Sequence, residues 1–101
     1  MEINEDVLSE ITRVAGSAYS PRQVAFILGL KPSEFEEQVK DEDSEVSIAY
    51  FKGLFSSELA VRESTINLAT SGSSPAQTTA YKLFDDTRRE LTRGSFPGFD
   101  E

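Results

Sequence analysis

Apolar residues recur at intervals of three and four positions along most of the chain, and no useful length of it alternates apolar and polar residues. An interval of three to four places side chains on one face of a helix, whereas strict alternation is typical of a half-buried strand. The spacing therefore predicts an all-α protein. With 101 residues, the chain is long enough for one small core, or for one domain with an appendage.

Start and stop signals divide this pattern into helices. The first helix is predicted over about residues 5–15 and ends near Gly16, since glycine is common just after a helix. Ser20, with Gln23 three positions later and a proline between them, predicts a capping box at the start of a second helix. That helix ends at Gly29, and Pro32 opens a short third helix. Residues 1–45 are therefore predicted to form a three-helix domain that contains a helix-turn-helix.

The rest of the chain predicts a long antiparallel helical hairpin. Its first helix covers about residues 46–70, after an acidic break, and contains Gly53, which costs roughly 1 kcal/mol relative to alanine. The second helix begins at Ser74-Pro75 and extends to about Arg93. We expect residues 46–93 to form an oligomerisation region and residues 94–101 to be a flexible tail.

Composition excludes several classes of function. The chain has no cysteine and no histidine, so disulfide frameworks, zinc fingers and Cys- or His-based catalysis are excluded. The acidic residues 41–45 lack the glycine and closing glutamate of a calcium loop, and residues 72–75 lack the lysine of a phosphate loop. We therefore expect no enzyme activity, no metal and no cofactor. The apolar runs are too short to cross a membrane, and the acidic N-terminus is unlike a secretory signal, so a cytoplasmic location is expected.

Charge is distributed unevenly between the two halves. The first 45 residues contain 11 acidic and four basic residues, a net charge of −7 out of −8 for the whole chain. This negative field opposes contact with phosphates.

The helix-turn-helix itself has two interpretations. Its small and apolar positions fit the template: Val24, Ala25, Leu28, Gly29, Leu30, Phe35 and Val39. In one interpretation the third helix enters a DNA major groove, and in the other it is only a corner of a helical bundle. Glu34, Glu36 and Glu37 would point towards phosphates, which argues against simple operator binding. The residues best suited to DNA contact are Arg22, Gln23, Lys31, Ser33, Gln38 and Lys40.

The order of these parts resembles a known family. A helix-turn-helix at residues 24–35 is followed by an acidic linker, by Ile48-Ala49-Tyr50-Phe51-Lys52-Gly53, by a long helix ending in residues 66–72, and by a new helix at residues 74–84. Over about residues 20–88 this resembles the small terminase subunit of tailed bacteriophages. The resemblance implies a non-enzymatic packaging factor in the host cytoplasm that recognises viral double-stranded DNA. It also implies a ring built by the hairpin, with the helix-turn-helix outside it, working beside a separate ATP-driven large terminase subunit.

Two other functions fit the same residues. One is a dimeric helix-turn-helix transcription regulator with a palindromic site, and the other is an acidic adaptor that binds a basic protein surface.

The long helix carries more apolar residues than one facing helix covers, which predicts contact with a second subunit. The predicted interface consists of Phe51, Leu54, Phe55, Leu59, Arg62 and Ile66. The alternative is that the N-terminal helices cover this surface within one chain. In the tail, Phe96 and Phe99 are candidate anchors for a larger partner, and the alternative there is a frayed end.

Overall fold

A computed structural model describes residues 3–98 of the chain as five α-helices joined by short turns. Within these residues there is no strand. The helices are α1 (Glu5–Ala15), α2 (Pro21–Leu28), α3 (Pro32–Lys40), α4 (Glu45–Thr70) and α5 (Ser74–Arg93). They confirm the predicted all-α fold class, with three short helices followed by a pair of long ones.

The helix-turn-helix has the predicted local chemistry at both ends of α2. The Ser20 hydroxyl accepts a hydrogen bond from the Gln23 backbone N–H at 3.3 Å, and the Ser20 N–H donates to Gln23 Oε1 at 3.0 Å. This reciprocal pair is the predicted capping box. Gly29 then ends α2 with a φ of 72°, a left-handed conformation that glycine adopts without steric cost. The chain can therefore turn within three residues and begin α3.

Gly16 follows the last residue of α1, as predicted, and it has a second function in packing. Helix α1 does end at Ala15, but Gly16 keeps a right-handed φ of −63°, and the left-handed residue of this turn is Ala18, with a φ of 70°. A Cβ at Gly16 would lie 2.9 Å from Ser57 Oγ on α4. The absence of a side chain here therefore allows α1 to approach α4, rather than allowing the backbone to reverse.

The chain divides into two compact units, of which the first ends at Ala60. Its core joins α1, α2, α3 and the first turns of α4. The buried side chains are Ile11, Val14, Ala15, Val24, Ala25, Phe35, Val39, Val46, Ala49 and Tyr50. The predicted domain boundary lies at residue 45, where α4 begins, whereas in the structure the early turns of α4 contribute to this core.

Helices α1 and α4 approach each other closely within the first unit. Gly53 is buried, and a Cβ at this position would collide with the backbone carbonyl of Thr12. The Thr12 hydroxyl donates a hydrogen bond to the Ala49 carbonyl at 3.0 Å. Nearby, the Tyr50 hydroxyl donates to the Tyr19 carbonyl at 2.7 Å. The glycine that weakens α4 as an isolated helix therefore allows its closest packing.

The second unit begins at Val61 and contains the end of α4 and all of α5. Gly72, with a φ of 106°, allows the short turn between them. The Ser73 side chain accepts from the Ala76 N–H at 3.3 Å and caps α5, and Gln77 Nε2 donates to the Ala69 carbonyl at 3.0 Å. These contacts fix the reversal of the chain that the hairpin requires.

Candidate functional surfaces on the helix-turn-helix and on α4

Arg22, at the start of α2, is held by groups of its own chain. Its Nη1 donates to Glu36 Oε1 on α3 at 3.0 Å, and its guanidinium carbon lies 5.5 Å from the centre of the Phe26 ring. An ion pair and a cation–π contact together orient the guanidinium along the protein surface. The Glu36 carboxylate therefore competes with a phosphate for Arg22 but does not exclude one, because the contact uses one nitrogen of a guanidinium that has five N–H donors.

Two more of the predicted DNA contacts have local partners. The side chain of Gln23 belongs to the capping box of α2. Lys40 lies at the end of α3, where its Nζ is 3.5 Å from a carboxylate oxygen of Glu37. Both side chains of this ion pair are well exposed, so the pair is weak and can exchange for another partner.

The remaining predicted contacts are exposed on or beside α3. Lys31 precedes the helix and makes no side-chain capping bond, while Ser33 lies in its first turn. Gln38 shares with Ser33 a groove of about 380 Å³, which is lined by Ile3, Ser33, Glu34, Glu37 and Gln38. The polar groups suited to DNA therefore lie beside two carboxylates that would repel phosphates. The assignment of these six residues to DNA stays a prediction.

A row of apolar side chains in the first unit lies uncovered along α4. We call it the α4 stripe: Ile48, Phe51, Phe55 and Leu59, at intervals of three and four residues. The Phe51 and Phe55 rings stack with their centres 5.8 Å apart, and Phe51 meets Tyr50 edge-on at 5.1 Å. Phe55 and Leu59 remain 56% and 58% exposed. Scattered single apolar residues are normal on a surface, but a continuous row indicates a contact surface.

The N-terminal helices cover the other side of α4. Val46, Ala49 and Tyr50 are buried in the core, and Leu54, which was predicted to lie at a subunit interface, packs partly buried against that same core. Residues 46, 49 and 50 lie on the side of the helix opposite residues 48, 55 and 59. Helices α1, α2 and α3 therefore leave Phe55 and Leu59 of the α4 stripe uncovered. The alternative, that the N-terminal helices cover the predicted interface within one chain, does not hold for these two residues.

The last two residues of the predicted interface lie in the second unit. Arg62 is exposed, and Ile66 is half-buried in a groove that it shares with Ala80 and Phe84 of α5. Ile66 therefore serves the packing of α4 on α5.

The described part of the tail is turned back on the end of α5. The Phe96 N–H donates to the Leu91 carbonyl at 3.1 Å, and the Phe96 ring lies beside Gly94 and is half exposed. Phe99, the second predicted anchor, lies outside the described residues.

Sequence reasoning missed an apolar surface on α2. Phe26 and Ile27 are 64% and 50% exposed, although both are apolar. The signal was available, because Val24 to Leu28 are apolar without interruption and such a run surrounds the helix. The core buries Val24 and Ala25 and leaves the other side uncovered.

Three ionisable groups have shifted pKa values, and each shift has a structural cause. The hydrogen bond from the Arg13 guanidinium lowers the pKa of Glu10 and raises that of Arg13, on the surface of α1. Burial raises the pKa of Tyr50 above its ordinary value. Glu10 and Arg13 lie on α1 and Tyr50 lies on α4, so none of these three groups belongs to α3.

Residues 3–98 contain no cluster of acidic side chains placed to hold a metal ion. None of their helices has the combination of length and apolar character that spanning a bilayer requires. In comparisons with known proteins, no family model, no curated protein and no solved structure matches this chain.

Proposed function

We propose that this chain is a non-catalytic adaptor that assembles with copies of itself and serves viral DNA packaging in the manner of a small terminase subunit. The observation that supports the proposal best is the α4 stripe. It lies on a helix that the core of the first unit already holds in place, so the stripe is rigid before any partner arrives. Preorganised apolar surface loses little entropy on association.

The size of the stripe suits a contact between subunits. Full burial of one large apolar side chain contributes about 1.5–3 kcal/mol, and the four side chains of the stripe are 38–58% exposed, so each can contribute roughly half of that on association. The stacked pair Phe51 and Phe55 gives the stripe an aromatic centre, which is typical of the best-packed part of an interface.

DNA contact, in this proposal, depends on assembly. The first unit carries most of the negative charge, and Lys31, Ser33 and Gln38 are few contacts for one copy. A ring would present the same residues repeatedly along one duplex, so that weak sites act together with a high effective concentration. Viral double-stranded DNA and a large terminase subunit are the proposed partners.

The test of assembly is molar mass by light scattering after size exclusion, at several protein concentrations. We expect a mass several times the 11.2 kDa of one chain, and a fall in mass for F55E/L59E. The matched control is S56E/A60E, which adds the same charges at the same spacing on a neighbouring exposed side of α4. A wild-type monomer at every concentration, or equal masses for both double variants, would contradict the proposal.

The test of DNA binding compares the assembled protein with F55E/L59E in fluorescence anisotropy, using labelled duplex DNA at low and at moderate salt. We expect binding at low salt for the assembly, weakening by about tenfold or more at moderate salt as counterions compete. The dissociated variant should bind far more weakly. A lack of DNA affinity in an intact assembly would remove the packaging part of the proposal and leave the assembly part standing.

A second candidate function is an acidic adaptor for a basic protein surface. The observation in its favour is that Glu34 and Glu37 line the groove on α3, while two of the basic side chains of the helix-turn-helix, Arg22 and Lys40, are paired with glutamates. Calorimetry with a lysine- and arginine-rich peptide tests this candidate. Binding that E34Q/E37Q abolishes would support it, and an unchanged affinity in that variant would exclude this surface.

A further inference from the structure

Besides the α4 stripe, the first unit has an uncovered apolar surface between α1 and α2. It is a groove of about 360 Å³, which we call the α1–α2 groove, and Ile27 at its edge is 50% exposed. Phe26 does not line this groove, and Arg22 lies over its ring. The lining residues are Asp6, Val7, Glu10, Ile27, Leu28 and Leu30. The unit therefore has two separate apolar surfaces, one a projecting row and the other a recess.

The groove and the α4 stripe match in size. A cavity of about 150 Å³ is enough to hold a benzene ring, so the groove has room for both stacked rings of Phe51 and Phe55. These two residues are four positions apart, as are Asp6 and Glu10 on the α1 side of the groove, so both pairs span about 6 Å along a helix. With the rings inside, Ile48 and Leu59 would lie over the two ends of the groove.

Charge disfavours a contact between two such grooves. Asp6 and Glu10 are acidic, Glu10 is bonded to Arg13 of its own helix, and no basic residue is among the described side chains that line the groove. Two grooves that face each other would therefore bring like charges together. The segment that carries the stripe, residues 46–60, is neutral, because it contains one lysine, Lys52, and one glutamate, Glu58. The stripe can therefore enter the groove without this repulsion, and it brings a cation beside the acidic side chains.

We propose that the α4 stripe of one copy occupies the α1–α2 groove of the next copy. This inference rests on the proposed self-assembly and names the surface that the stripe meets. A single head-to-tail contact covers both apolar surfaces of each chain, whereas a stripe-to-stripe contact leaves the groove open. A head-to-tail contact also leaves a free stripe at one end and a free groove at the other, so that assembly continues beyond two copies and can close into a ring.

The experiment mixes two full-length variants, each of which lacks one half of the contact. F55E/L59E removes the stripe and keeps the groove, whereas Ile27→Lys places a charge in the groove and keeps the stripe. In light scattering, we expect each variant alone to have the 11.2 kDa mass of one chain. Their equimolar mixture should have twice that mass, because the intact groove of one accepts the intact stripe of the other. Phe26→Lys adds the same charge to α2 outside the groove, and this matched control should assemble like the wild type.

Disulfide trapping provides a second measurement that introduces no charge. The chain has no cysteine, so Ile27→Cys and Phe55→Cys can be made singly in otherwise unchanged chains. A disulfide requires Cα atoms within about 7 Å of each other. On mild oxidation of a mixture, we therefore expect I27C chains to crosslink with F55C chains in preference to crosslinks between two F55C chains. Phe26→Cys in place of Ile27→Cys is the control and should give much less of the mixed product.

Three outcomes would overturn the inference: an Ile27→Lys variant that assembles like the wild type, a variant mixture that stays monomeric, or F55C chains that crosslink mainly with each other. Each is compatible with the proposed assembly through α4, with a different surface facing the stripe. A wild-type protein that is monomeric at every concentration would instead contradict the proposed function, and this inference with it. Circular dichroism of each variant checks that its helix content is unchanged.

Discussion

The two compact units are built from helices with the same apolar spacing, but they differ in how many helices cover each apolar face. In the first unit, α1, α2 and α3 surround the early turns of α4, and the core of the unit contains ten buried apolar side chains. In the second, α5 meets only the end of α4, and the buried apolar side chains of the described residues are Ala69 and Ala80. Apolar periodicity therefore predicts that a helix forms, but not whether other helices of the same chain will cover its apolar face.

The largest expected difference between the units is the cost of removing one aromatic ring. Phe35 is fully buried in the first unit, so Phe35→Ala should lower the free energy of unfolding by about 3–5 kcal/mol. Phe84→Ala, at a half-exposed position in the second unit, should cost about 0.5 kcal/mol or less in the monomer. Urea denaturation of both variants measures this difference. Equal losses would show that the second unit has a core of its own.

The next effect probes the closest helix contact of the first unit. Gly53→Ala places a methyl group against the Thr12 carbonyl, so we expect a loss of about 1–3 kcal/mol despite the better helix propensity of alanine. Ser56→Ala, on an exposed side of the same helix, is the control and should change stability by less than about 0.5 kcal/mol. Thermal denaturation followed by circular dichroism checks both. A stabilised Gly53→Ala variant would mean that α1 and α4 are further apart.

A smaller effect is expected at the start of α2. Ser20→Ala removes the side-chain half of the capping box and should cost about 1 kcal/mol. Ser17 is also an exposed serine of the α1–α2 connection, but it does not cap a helix, so Ser17→Ala serves as the comparison and should be nearly neutral. Chemical denaturation of the Ser20→Ala and Ser17→Ala variants measures the loss of stability that each change causes. Similar losses for both serines would assign the effect to the connection rather than to the cap.

The smallest expected effect is a fall in the free energy of unfolding at high pH. Burial raises the pKa of Tyr50, so above about pH 10 the unfolded chain loses a proton that the folded chain keeps. The unfolded state then binds fewer protons, and the free energy of unfolding should fall as pH rises through this range. Denaturation between about pH 9 and pH 11 measures the slope. Tyr50→Phe should show a shallower slope, and an identical slope would exclude Tyr50 as its source.

Much of the local structure was predictable because its causes are local. The limits of α1, the capping box at Ser20 and the left-handed stop at Gly29 follow from neighbouring residues. The end of α1 at Gly16 was predictable in the same way, but the close approach of Gly16 to Ser57 was not, because nothing in its neighbours reveals a contact with a distant helix.

The candidate surfaces were predictable only in part. The spacing showed that the long helix has more apolar residues, Phe55 and Leu59 among them, than one facing helix can cover, and both of these side chains are exposed. It did not separate them from Leu54, which packs against the core. The engagement of Arg22 by Glu36 was also beyond prediction, because these residues are 14 positions apart and meet only when α2 and α3 pack.

The helical class, the ends of the helices and the concentration of negative charge in the first half are all set by composition or by residues within one or two turns, so they can be read from the chain alone. The tertiary structure alone decided which side of α4 became core, which glycine served packing and which charges were already paired. The physical reason is that burial depends on side chains from several helices at once, so it exists only after those helices have met.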